Sequence, residues 1–398
     1  MDARDVSALA LRIQELEKEN ARLKAILDKN GIEYESLESK TYNSDHIEAT
    51  SVSICQFTLQ EKVTIFQSVF RGRDDVFAKR WYSSTTQKSG YQPVCTREWN
   101  REFCDKRKYK CADCPNRQFA PLTYNDVFNH LAGKDVWGRD VIGLYPIRKD
   151  NTCCFLCTDF DDKSCEHGYK NDVLSFVNVC KTWNVPCYIE RSRSGNGAHV
   201  WIFFDMPITA FKARKLGNAI LTEAMNSDVH LSFKSYDRFF PNQDTLPEGG
   251  LGNLVALPLQ GMARRKGNSV FVDEDFNAYA DQWEMLSQIH KLSEVELDLL
   301  LQLHAMPTLG ELSKTCEEKP WETPHMDAAQ SEDYPKQIVL TRANMLYVPL
   351  ASLSAKCVNI FKRIAAFRNP EFYEKQGMRL STYNIPRIIS CSEMTDDY

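Results

Sequence analysis

Two kinds of apolar spacing divide the chain. Near the start, Leu9, Ile13, Leu16, Leu23 and Leu27 fall at alternating intervals of four and three, with Asn20 in the same register. Glu and Lys fill the flanks, so residues 1–30 read as a helix with a heptad seam. It either pairs with a second copy, with Asn20 setting the register, or lies as an amphipathic helix on its own chain. Gly31 ends it, and a polar stretch to residue 54 reads as a linker. An amphipathic helix is expected over residues 59–70. From residue 141 short apolar runs take over, at 142–147, 153–160, 187–190, 200–204 and 253–260. These predict strands, the first two joined as a hairpin through Arg148-Lys149-Asp150-Asn151-Thr152. Helical spacing returns at 171–183, 208–225, 275–289 and 291–304, and again at 354–380 before a strand-like run at 387–391. Strands and helices in this order predict an α+β fold around a mixed sheet.

Composition narrows the class without deciding it. The chain has 398 residues, of which 43% are hydrophobic and 26% charged, enough for several folded regions. No apolar run approaches the ~20 residues of a membrane span, and Met1-Asp2-Ala3-Arg4-Asp5 does not begin a secretory leader, so a cytoplasmic protein is expected. The net charge of −5 argues against a uniformly basic surface. Locally the balance reverses, for residues 97–117 hold seven Lys and Arg against four Asp and Glu. Arginines also alternate with aromatics over residues 70–82, a pattern that suits phosphate pairing and base stacking and equally an ordinary surface.

The 14 cysteines fall into two groups. Cys153, Cys154, Cys157, Cys180 and Cys187 sit in apolar patterns and read as small core residues. Cys95, Cys104, Cys111 and Cys114 follow the spacing C-x8-C-x6-C-x2-C, a four-thiolate set for structural Zn2+. The basic residues between them offset the negative charge of such a site.

The carboxylates give the sharpest chemistry. Asp159 and Asp161 leave an apolar strand on one face, roughly 6–7 Å apart. Such a pair calls for a cation, and Mg2+ or Mn2+ is the simplest. Asp237, between Tyr236 and Arg238, is a third candidate; three carboxylates around two metals are the equipment of phosphoryl or nucleotidyl transfer. The loop Ser194-Gly195-Asn196-Gly197-Ala198-His199 follows a strand and can turn N–H groups, hydroxyl, amide and imidazole toward a triphosphate. It fits neither a Walker loop nor a dinucleotide fingerprint.

Asp159-Phe160-Asp161, then Ser-Gly-x-Gly-x-His199 before an apolar strand, then Asp237, resemble the three ordered motifs of the archaeo-eukaryotic primase superfamily. Closer likeness is to the primase module of TOTE conflict-system proteins. It lies in Phe70-Arg71-Gly72-Arg73-Asp74-Asp75, the Cys95–Cys114 cluster with Trp99, Phe240-Pro241-Asn242-Gln243-Asp244, and the run from Gly252 and Asn253 to Gln260. The resemblance covers about residues 55–290 and implies an RRM-like catalytic core. By it, Asp159, Asp161 and Asp237 bind Mg2+ or Mn2+, while Ser194, Gly195, Asn196, Gly197, His199, Asn253 and Gln260 hold the nucleotide. Arg71, Arg73, Arg264, Arg265 and Lys266 are the basic residues assigned to nucleic acid.

The expected division is a helix at 1–30, a linker at 31–54, and a basic, zinc-binding part at 55–125. A catalytic core at 126–304, a linker at 305–335 and a helical segment at 336–398 follow. That last segment resembles the lead-in to a helicase region in a longer chain. The implied activity is template-dependent joining of nucleotide triphosphates on single-stranded or primed DNA, with homodimerisation through the first helix as a further expectation. The competing readings are an inactive zinc-containing nucleic-acid-binding module and, third, a metal-dependent nuclease.

Overall fold

The computed structural model describes residues 18, 19, 22, 57–109, 114–161, 168–228, 231, 239–304, 335–343, 345–378, 380, 382 and 385–395. Residues 1–52 and 53–398 are separate compact units. In the first, Lys18, Glu19 and Arg22 are helical and exposed; the heptad positions themselves, and the expected linkers except Pro335, lie outside the described residues.

Helix α1 (Leu59–Val69) begins where Thr58 and Glu61 cap one another reciprocally, and it buries Val63, Phe66 and Val69. Strands β1 (Ala78–Tyr82) and β2 (Ser89–Pro93) form a hairpin, and α2 (Tyr124–Ala132) has a second capping box from Thr123 and Asp126. Then come β3 (Ile142–Leu144), β4 (Thr152–Asp161), α3 (Gly168–Thr182), β5 (Tyr188–Arg191), β6 (Gly197–Thr209) and α4 (Ala210–Ser227). After them follow β7 (Phe239–Phe240), β8 (Val255–Ala256), α5 (Gly261–Arg265), β9 (Val270–Val272), α6 (Gln282–Ser287) and α7 (Glu294–Leu303). The last described stretch holds β10 (Thr341–Arg342), β11 (Leu346–Tyr347), α8 (Ala355–Ile364), β12 (Ala366–Arg368), α9 (Pro370–Gly377) and β13 (Ile388–Ser390).

The main sheet has the order β7-β4-β6-β5-β9, and a second sheet the order β2-β1-β3-β8. β4 and β5 run the same way but β6 lies between them, a split β-α-β arrangement in which every ladder is antiparallel. The fold is thus α+β as expected, but its sheets are antiparallel rather than mixed, because β6 separates the two parallel strands. Even-numbered side chains of β4 face α3 and α4, where Phe160 meets Phe176 edge-on at 5.8 Å. Gly217 lets α4 lie close, since a Cβ there would stand 2.8 Å from both Leu156 and Phe239. From Phe155 on, odd-numbered side chains face the end of α1, where the capping residue Phe70 packs edge-on against Trp201 at 5.3 Å and Trp201 lies tilted against Phe155 at 5.2 Å. That second face ends in Asp159 and Asp161.

Four local expectations change. β3 and β4 are not a hairpin but belong to different sheets, because Pro146 has no N–H for a ladder and the chain turns out of one sheet into the other. β6 starts at Gly197 rather than Val200, so His199 lies in a strand and not in a loop. The helix expected over 275–289 is confined to Gln282–Ser287, where the Asp281 carboxylate accepts from the amides of Trp283 and Glu284. The helical spacing at 354–380 is interrupted by β12, and β13 pairs back with it. The C-terminal elements pack on α4, with Asn359 donating to the Thr222 carbonyl at 3.3 Å and Lys362 to that of Leu231 at 3.0 Å.

Candidate active site

Strand register builds the site. Asp159 of β4 stands opposite His199 of β6, and His199 stands opposite Glu190 of β5. Directly opposed residues share a face, so the three side chains form one row across the sheet. The His199 Nδ1 is 2.8 Å from Glu190 Oε2, and its Nε2 is 3.6 Å from Asp159 Oδ1. The first contact is a hydrogen bond; the second is too long for one and is a charge contact. Glu190 is 1% exposed, and it also accepts from the Trp201 indole N–H at 2.9 Å. A buried carboxylate held by indole and imidazole fixes the ring so that Nε2 faces the Asp159 side. Burial pulls the His199 pKa down, but the charge of Glu190 and its hydrogen bond, then Asp159 and Asp161, push it up to about 9. At neutral pH the imidazole is a cation between carboxylates.

Asp161 is opposite Gly197. A Cβ at position 197 would come within 2.7 Å of the Phe160 carbonyl and 2.8 Å of Asp161 Oδ1, so the glycine makes room for the carboxylate. The turn between β5 and β6 is closed by Ser192 N–H to the Gly197 carbonyl (2.9 Å) and Gly195 N–H to that of Ser192 (3.0 Å). Gly195 has φ +85°, where L side chains are strained, and a Cβ there would stand 2.9 Å from Asn268 Oδ1. The Ser194 hydroxyl lies 3.1 Å from that of Ser192 and accepts from the Asn196 amide at 3.3 Å. Ser194 and Asn196 are exposed at the tip. The structure therefore brings Asp159, Asp161, Gly197, His199 and the Ser194–Asn196 turn to one end of one sheet. Asp237 lies outside the described residues; the chain enters β7 two positions later, where Phe239 pairs with Thr158.

The amino-acid sequence matches the family described as the TOTE conflict system, Archaeo-Eukaryotic Primase domain, over residues 61–300. The chain belongs to this primase-domain family. No curated protein matches it. Among solved structures it is similar to the "Polymerase Domain from Mycobacterium tuberculosis Ligase D in complex with DNA", at 11% identity and a TM-score of 0.33, covering 62% of this chain and 87% of that one.

Other named residues of the primase domain lie deeper in its framework. Asn253 donates to the Phe239 carbonyl at 2.9 Å and accepts from the Asn242 amide at 3.3 Å, bracing the start of β7. Gln260 is buried; it caps α5 by accepting from the Ala263 amide and donates to Asp140 at 2.8 Å. Arg71 donates to the carbonyls of Phe204 and Asp205, five and six residues along β6 from His199, about 17–20 Å away by strand rise. Arg73 is buried in a two-bond pair with Asp75, whose pKa it holds well below the carboxylate range. Arg264 lies over the Trp283 ring, Arg265 donates to the Ala132 and Gly133 carbonyls, and Lys266 is exposed.

Cys95, Cys104 and Cys114 line one cavity next to β2, together with Arg97, Phe103 and Arg117. The Gln118 amide donates to Cys95 Sγ at 3.4 Å. Cys111 lies outside the described residues. Among the described residues, no three His, Cys, Asp or Glu side chains are grouped as a metal site; the cysteine and the aspartate sets each have one member beyond them.

Glu190 is the residue sequence reasoning missed. Its signal was present: an acid between Ile189 and Arg191 in an apolar strand, nine residues before the histidine it holds.

Proposed function

We propose that this chain is a primase-polymerase, joining nucleotide triphosphates on a nucleic-acid template at the end of β4 and β6. The reading rests above all on the row Asp159–His199–Glu190, with Asp161 beside it. An RRM-like core is the matching description of the sheet, with the chemistry on the face opposite α3 and α4.

The donor set fits divalent metal. Asp159 and Asp161 present hard oxygen ligands from one partly exposed strand end, and Asp237 is assigned as the third ligand. Mg2+ or Mn2+ held there supplies charge neutralisation for phosphoryl transfer and activation of a 3′-hydroxyl. The chain's own residues do the rest. His199, kept cationic by Glu190, presents Nε2–H to a triphosphate oxygen. Ser194 and Asn196 offer further donors from the turn, and Gly197 keeps Asp161 in place. The three cysteines around one cavity, one already accepting an amide N–H, suit structural Zn2+ with Cys111 as fourth ligand.

The test is primer synthesis and extension on single-stranded templates, crossing dNTPs and rNTPs with Mg2+ and Mn2+. The Asp159→Ala/Asp161→Ala double variant should lose incorporation completely while keeping its circular dichroism spectrum. Undiminished incorporation by that variant overturns the reading; shortening of the strand in place of extension makes the protein a nuclease.

A further inference from the structure

A second constellation lies beside the site, on the β1–β2 hairpin. Arg80 and Tyr91 are directly opposed in its ladder, and Tyr82 is two residues beyond Arg80, so all three share a face. On that face the Tyr82 ring stacks on Trp137, with centroids 4.9 Å apart and planes at 12°. Arg80 lies over the Tyr82 ring at 5.9 Å and donates to the Trp137 carbonyl. Trp137 is nonetheless 47% exposed, and Val136 beside it 70%. Arg193, exposed on the β5–β6 turn two residues before Gly195, is close enough to Tyr91 and Arg80 for its charge to act on both.

Arg73, Arg139, Arg214 and Arg387 each have a carboxylate partner. Among the described residues neither Arg80 nor Arg193 is in an ion pair with one, and the charge of Arg193 adds to burial in lowering the Arg80 pKa. Two guanidinium groups so placed repel, and an anion between them would relieve the repulsion. The exposed Trp137 ring, held flat on Tyr82, adds a surface that any base can stack on.

We propose that Tyr82 and Trp137, with Arg80 and Arg193, seat a single-stranded nucleic acid on its way to the Asp159–His199 site. One base stacks on the aromatic pair, and a backbone phosphate lies between the two arginines. This deepens the primase-polymerase reading and rests on it for the strand's destination.

The experiment measures fluorescence anisotropy of a labelled 20-nucleotide strand against the full chain, with DNA and RNA strands in separate arms. Trp137→Ala should weaken binding about tenfold, the loss of one base–aromatic stack. With a strand made abasic throughout, that variant and the wild type should bind alike. Arg193→Ala should lower the slope of log affinity against log salt by about 0.7, one phosphate contact, and Arg193→Lys should restore it. Both positions are exposed; thermal melting checks that the variants fold.

Wild-type affinity in Trp137→Ala and Arg193→Ala overturns the proposal, as does a wild-type protein that binds no single strand. The primase-polymerase reading fails separately. Asp159→Ala/Asp161→Ala should bind the strand normally yet incorporate nothing, and a wild type that binds through Trp137 without incorporating nucleotides sinks only that reading.

Discussion

The imidazole of His199 owes its charge to a residue that never meets solvent. Glu190 holds Nδ1 from below while Asp159 and Asp161 stand on the other side, so the proton gains from three carboxylates what it loses by burial. Replacing Glu190 with Gln keeps the shape and removes the nearest charge. In metal-free protein, an NMR titration should find the His199 pKa of about 9 falling toward the ordinary histidine value near 6.5. The sign for stability follows: with the folded pKa raised, the contribution is full below about pH 6.5 and lost as pH climbs through 9. An unchanged titration would mean that Glu190 does not hold the ring. Gly197 acts by size instead. Gly197→Ala should cut nucleotide incorporation at least tenfold, because the new Cβ meets the Phe160 carbonyl and Asp161 Oδ1 within 3 Å. A variant as active as wild type would show that Asp161 can shift without consequence.

Elements are placed by backbone fit as much as by apolar faces. The C-terminal end of α2 meets the start of α5 at two glycines: Gly133, at φ +58°, where a Cβ would lie 2.2 Å from the Met262 amide, and Gly261, where one would lie 2.5 Å from Ala132. No side-chain rotation relieves a clash with backbone. Gly133→Ala should therefore lower stability by about 2–4 kcal/mol, the sum of left-handed strain and overpacking, read from urea unfolding. Next to this junction His130 is buried and neutral, its Nε2 2.8 Å from the Pro258 carbonyl and its Nδ1 accepting from Ile142 N–H. Burial pulls its pKa to about 4. The unfolded chain takes up that proton first, so stability falls as pH drops from 6.5 to 4, by roughly 3 kcal/mol from this group. Stability curves of His130→Gln should be flatter across that window; curves of equal slope would assign the acid sensitivity elsewhere.

At the scale of the whole molecule, what the sequence disclosed and what it hid have physical reasons. Strands β4 and β6 and helices α3 and α4 were legible because each is long, apolar on a regular period and ended by polar residues. The pairing of β3 was not, since a three-residue strand fits several partners and only tertiary contact selects one. Asp159, Asp161 and His199 were visible as motif residues, whereas Glu190 became visible only with the register that sets it opposite His199. The strand-like run at 387–391 was legible, but its pairing backward across α9 leaves no turn signature. That tail is tied to the segment after β7. Asp244, a few residues after β7, receives Arg214 from α4 at 3.0 Å, Arg387 from the tail at 3.4 Å and Gln376 from α9 at 3.2 Å. Arg214 is 1% exposed, and Asp244 is one of the groups that offset its charge. Asp244→Asn should accordingly lower the melting temperature and loosen α9 and β13 from α4. Hydrogen exchange should report faster exchange in residues 366–377 and 388–390 with β5 and β6 unchanged. Uniform acceleration across all of these would place Asp244 in the general stability of the fold rather than in a clamp between the tail and the strand that follows Asp237.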